Sequence, residues 1–90
     1  MNEKQLMKIL KALANPRRFA ILANLKKNRA LNVSAIAEKI DLSFRSTSKH
    51  LLKLEDVVLV ERKHQSREVF YILAPKIITD VITSFVRMSE

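Results

Sequence analysis

Two short amphipathic stretches separated by three residues, followed at once by a change of apolar period from 3.6 to 2, leave this chain few folds to adopt. Asn32 is placed to cap a helix over Val33–Ile40, with Ile36, Ala37 and Ile40 turned inward. Asp41-Leu42-Ser43 forms a tight connection, and Ser43 caps a second helix that runs to about Glu55. Two short helices joined in this way have the spacing of a helix-turn-helix. Beyond them, Val58–Lys63 and Arg67–Leu73 alternate as strands do, around a polar His64-Gln65-Ser66 turn, which predicts a hairpin.

The flanks read as helices. The first spans about Glu3 to Ala14, capped by Asn2 with Gln5 at the third helical position, and carries Leu6, Ile9, Leu10 and Leu13. Asn15-Pro16 ends it and starts the next, because proline at the first helical position gives up an N–H that has no intrahelical partner there. That second helix carries Phe19, Ile21, Leu22 and Leu25 to about Lys27, with Asn28 as a candidate left-handed cap. Pro75 opens a last helix to about Met88 with a wide apolar face. The order is ααααββα: a mainly α chain with a small β-hairpin (α+β), arranged as a winged helix-turn-helix. With no glycine, its turns are expected to use Asn and Asp, which tolerate positive φ.

Ninety residues make a single domain, 1–90. Apolar residues are 48% of the chain, more than so small a core needs, which places part of that surface in a subunit interface. Leu6, Met7, Leu10 and Leu13 of the first helix and Ile78, Ile82, Phe85 and Val86 of the last are the expected homodimer contacts. No apolar run approaches the ~20 residues of a membrane span, and the early lysines leave no signal-peptide core. The expectation is a soluble, cytoplasmic protein. The absence of cysteine removes disulfides, thiolate metal sites and thiol nucleophiles.

Lysine and arginine total 17 against 9 acidic residues, a formal charge of +8, which favours a polyanionic partner. In the helix-turn-helix, Thr47, Leu51 and Leu54 share the inward face of the second helix, and Arg45, Ser48, Lys49 and Leu52 lie opposite. Arg and Lys donate to guanine O6 and N7, and Ser adapts to either base edge. Phe44 has two readings: a lid over the core at the helix start, or contact with a thymine methyl. Ser34, Ser46 and Lys53 complete the candidate DNA-facing set on these helices, with His50 as either a packing or a phosphate-facing histidine and not a metal ligand or catalytic base. Arg62, Lys63, His64 and Arg67 gather at the hairpin tip, either to reach phosphates and the minor groove or as a solvated turn. Residues 1–30 hold Lys4, Lys8, Lys11, Arg17, Arg18, Lys26, Lys27 and Arg29 against the single acid Glu3, a reserve of sequence-independent affinity or simply solvated faces.

The runs LKALANPRRFAILANL, LNVSAIAEKIDLSFRSTSKHLLKLEDVVLVERK and REVFYILAP resemble the ArsR/SmtB family of bacterial winged-helix repressors over about residues 6 to 76. The most specific segments are Leu13–Arg18 and Leu42–Leu54. The resemblance implies a homodimer held by its first and last helices that binds palindromic operators, in many members releasing DNA when a metal ion or other effector binds. Family metal sites use cysteines in the third helix or Asp/His and His/Glu pairs in the last. Here there is no cysteine, and the last helix offers only Asp80, with Glu90 beyond it. A zinc site needs about three or four ligands, so no metal, no cofactor and no metal sensing are expected. The family commonly carries Gln where this chain has Phe44, and Gly where it has Val58 and Ser66.

The expected function is sequence-specific duplex-DNA binding by a transcriptional repressor. The alternative is a winged-helix module that binds protein or RNA without reading DNA sequence. No clustered acid/base pair, nucleophile with a positioned base, or phosphate-binding glycine loop points to an enzyme. Ser48 and His50 are two apart on a helix and do not face each other.

Overall fold

A computed structural model describes residues 1–89, with the side chains of Ile78, Met88 and Ser89 outside the described set. The elements are α1 (Glu3–Leu13), α2 (Pro16–Asn28), β1 (Ala30–Leu31), α3 (Val33–Ile40), α4 (Phe44–Asp56), β2 (Val60–Gln65), β3 (Glu68–Leu73) and α5 (Ile77–Ser89). The strands form one antiparallel sheet in the order β1-β3-β2. The expected succession holds, with β1 added between α2 and α3: Ala30 pairs with Ile72 and Leu31 with Tyr71. A two-residue strand is too short to show a period, so nothing in the sequence marked it.

All four expected N-terminal caps are in place. Asn2 and Gln5 form a reciprocal capping box, and Asn15 accepts from the amides of Arg17 and Arg18 at the head of α2. Asn32 accepts from Ala35 and Ser43 from Ser46, so both helices of the helix-turn-helix start at fixed positions. Each such cap contributes about 1 kcal/mol.

The helix ends depart from expectation. Positive φ falls on Arg29, Asp41, Val58, Ser66 and Lys76, of which only Asp41 is a type expected there. The left-handed cap of α2 is not Asn28, which stays helical; Arg29, at φ 63° and ψ −64°, turns the chain into β1. α3 closes with the Leu42 amide on the Ala37 carbonyl and Asp41 left-handed. α4 closes the same way: Leu59 donates to Leu54 and Val58 to Glu55. That double bond pattern needs a left-handed residue just past the helix, normally glycine, and here it is Val58. Strand β2 therefore begins at Val60, two residues later than the alternation suggested. The wing turn is Ser66-Arg67, flanked by the Gln65–Glu68 pair, with positive φ at Ser66 alone. Pro75 precedes α5 without opening it; the helix starts at Ile77, after left-handed Lys76.

The core joins Ile21 and Leu25 of α2, Ile36 of α3, Leu51 and Leu54 of α4, and Val60 and Tyr71 of the sheet. Thr47, Leu51 and Leu54 are fully buried, as the spacing in α4 required. α5 packs against α1. Leu6 is only 1% exposed within the single chain, so its side chain is consumed by internal packing and offers no surface to a second subunit. Among the described residues no helix is long and apolar enough to cross a membrane.

Candidate nucleic-acid interface

Burying one face of α4 leaves the other to solvent. Phe44, Arg45, Lys49, Leu52 and Lys53 are exposed, and Ser46, Ser48 and His50 are half-buried. Arg45 and Lys49, one turn apart on the helix, make no hydrogen bond or ion pair among the described residues. Their charges are unspent. Ser34 lies exposed at the start of α3, on the other helix of the motif.

Two other cations are engaged. The Arg18 Nε donates to the Ala12 carbonyl at 2.7 Å and the Arg17 Nη1 to the Ile40 carbonyl at 3.1 Å. These are the last turns of α1 and α3, where carbonyls lack intrahelical donors and the helix dipole favours a positive charge. The two arginines therefore tie α1 and α3 to the head of α2. Sequence reasoning left them among cations that either add affinity or are merely solvated. The available signal was Asn15-Pro16, which sets the arginines immediately after the end of α1.

On the wing, the Arg62 guanidinium pairs with both Glu55 oxygens, at 2.8 and 3.1 Å, and lies 5.9 Å from the centre of the Tyr71 ring. Glu55 is in the last turns of α4, so this fork fixes the wing against that helix. Arg62 is therefore engaged within the fold as a strut. Lys63, His64 and Arg67 remain exposed around the tip, Lys63 with a long 3.8 Å approach to Glu61.

His50 points toward the packed side. Its Nδ1 is buried without a hydrogen-bond partner among the described residues, as is the Thr47 hydroxyl. Burial first, then the charges of Arg18, Lys53 and Arg17, hold its pKa below the ordinary histidine value. The ring lies half-buried at the back of α4. His64 sits in a different element, and among the described residues no three His, Cys, Asp or Glu side chains form a metal-binding group.

Away from this face, Phe19 does not join the core stripe of α2; it is 63% exposed. It lines a groove of about 390 Å³ together with Leu13, Leu22, Leu73, Val81 and Ile82, with the Lys26 side chain as the sole charged group in its lining among the described residues. Ile82 and Phe85 are each 57% exposed, and Met7 and Val86 are also exposed. Leu10 and Leu13 are half-buried, and Ile78 lies outside the described side chains.

A helix-turn-helix with free cations on its second helix, braced to a basic hairpin, defines a winged helix-turn-helix domain. The MarR family model matches residues 14–67, and the chain belongs to that family. It is similar to the transcriptional repressor PagR of Bacillus anthracis, at 38% identity over 70% of this chain and 63% of PagR. It is also similar to the transcriptional activator HlyU of Vibrio cholerae, at 36% identity over 81% of this chain and 67% of HlyU. The structure of reduced HlyU superposes with a TM-score of 0.77 over 97% of this chain and 90% of that one, at 32% identity. The homodimeric winged helix-turn-helix DNA-binding domain Mb0332 of Mycobacterium bovis, a possible ArsR-family regulator, gives a TM-score of 0.76 at 30% identity, over 96% of this chain and 76% of that one. The chain spans about half to two thirds of the length of three of the curated relatives it matches, PagR and HlyU among them.

Proposed function

We propose that this chain is a cytoplasmic, homodimeric repressor of the ArsR/SmtB type that reads a palindromic operator in duplex DNA. The observation that carries this reading is the two-faced α4: three side chains fully buried on one side, and unpaired Arg45 and Lys49 on the other. In a helix-turn-helix the second helix enters the major groove, where Arg45, Ser48 and Lys49 meet base edges. Ser34, Ser46 and Lys53 flank that contact, and Lys63, His64 and Arg67 of the wing reach the adjacent backbone. His50 and Arg62 hold the framework. The repressor named PagR supports the sign of regulation, and the segments quoted from Leu13–Arg18 and Leu42–Leu54 support the ArsR/SmtB type.

The second subunit covers the apolar surface of α1 and α5, with Met7, Leu10, Leu13, Ile82, Phe85 and Val86 in the interface. The groove at Phe19 continues that surface onto α2, and Mb0332 is a homodimer of the same fold. Burying one such side chain is worth roughly 1.5–3 kcal/mol, and each occurs twice in a symmetric dimer. Ile82→Glu is therefore expected to weaken dimerisation about a hundredfold or more and to lower affinity for a palindromic duplex in parallel. Sedimentation of both proteins, followed by duplex titration, tests this. A wild-type chain that is monomeric at micromolar concentration yet binds a palindrome fully would overturn the dimer reading.

A further inference from the structure

Phe44 occupies the first helical position of α4, with Ser43 capping the helix immediately before it. Leu51 lies seven positions further on, so both share nearly the same azimuth, about 10 Å apart along the axis. Leu51 is completely buried, whereas Phe44 is 59% exposed. The packed layer that covers Leu51 therefore stops short of the first turn, and Phe44 overhangs its edge instead of closing the core. Its neighbours one turn on are Ser48 and then Leu52, beside the parallel row of Arg45 and Lys49. Phe44 is thus an exposed aromatic ring at the end of the helix that first meets base edges in a helix-turn-helix.

We propose that Phe44 selects a thymine in each operator half-site through the thymine C5 methyl group, a reading that rests on the operator-binding role above. The ring has no donor or acceptor. Set against guanine or adenine, it would strip water from N7 and O6 or N6 and return no hydrogen bond. The thymine methyl is the one methyl group on the major-groove edge of the four bases, where cytosine has only a bare C5–H beside its N4–H donor, and phenylalanine is a suitable partner for it. Specificity at this position comes from burying carbon against carbon, and Arg45 supplies the polar reading next to it. A chain with Gln at this point would instead favour adenine, so Phe44 shifts the operator sequence away from what the ArsR/SmtB resemblance alone implies.

Selection of a preferred duplex from random sequences supplies the probe, and each thymine is then replaced by uracil, which lacks only the methyl. For the wild-type protein, one thymine per half-site should be sensitive, with a loss of roughly fourfold per half-site and on the order of tenfold when both are replaced, as expected for one buried carbon. Phe44→Ala should lose that sensitivity and keep its response to every other position; because the side chain is exposed, the variant should melt as the wild type does. Uracil tolerated at all positions by the wild type, or the same loss persisting in Phe44→Ala, would overturn the proposal while leaving operator binding intact. Failure to enrich any duplex over random sequence would overturn the operator reading itself, and this inference with it.

Discussion

The head of α2 and the outer face of α4 carry the same kind of side chain and put it to opposite use. Arg17 and Arg18 are fixed on the carbonyls of Ile40 and Ala12, whereas Arg45 and Lys49 touch no partner among the described residues. The difference lies in what surrounds them. At the head of α2, two helix C-termini converge and present carbonyls with no intrahelical donor. On α4 the facing surface is solvent. Net charge alone does not identify the cations available to a polyanion. Cations spent on the chain's own helix ends, as Arg17 and Arg18 are, have to be subtracted first.

The strongest break of this comparison is on the tethered side. Arg18→Ala removes a short hydrogen bond from a charged donor, worth about 1.5–3 kcal/mol. For a domain of this size that lowers Tm on the order of 10 °C. The ratio of operator to random-duplex affinity should not change, since Arg18 reads nothing. Melting curves with and without duplex check both halves of that statement.

A smaller effect of opposite sign sharpens the contrast. Val58 is an exposed β-branched residue at φ 59° in the cap of α4, a conformation that costs roughly 1–2 kcal/mol for a side chain with a Cβ. Glycine relieves that strain and forfeits some of the gain through the greater freedom of the unfolded chain. Val58→Gly should therefore stabilise by about 0.5–1 kcal/mol, a rise of a few degrees in Tm. An unchanged or lower Tm would mean that Val58 has a packing role its exposure does not reveal. Specificity should again be unmoved, so the two variants bracket stability in both directions at constant reading.

The sequence made some of this plain and hid the rest for physical reasons. Caps at Asn2, Asn15, Asn32 and Ser43 are local chemistry, one side chain on an amide two or three residues on, and they were legible. The burial of Thr47, Leu51 and Leu54 followed from helical period. Positive φ at Arg29 and Lys76 was not legible, because it is imposed by where the next element must go and not by the residue itself; at Val58 and Ser66 the signal was the glycine that the ArsR/SmtB family commonly carries there. Phe19 looked like core on period alone, and only the position of α5 shows that it faces a groove. In the candidate site, exposure of Arg45 and Lys49 was readable from the helical face, but the engagement of Arg62 by Glu55 needs the wing docked on α4.

If α4 reads sequence while the wing only positions, substitutions in the two elements must separate. The direct measurement is the affinity for a selected palindromic duplex divided by that for random duplex, compared between Arg45→Ala and Arg67→Ala. Arg45→Ala should shrink the ratio by about 1–3 kcal/mol per half-site and relax preference at one base pair in each. Arg67→Ala should weaken both duplexes alike, leave the ratio unchanged, and flatten log K against log salt by roughly 0.9 for each phosphate that it no longer neutralises. If Arg45→Ala leaves the ratio intact and Arg67→Ala collapses it, the wing is the reading element and α4 is not.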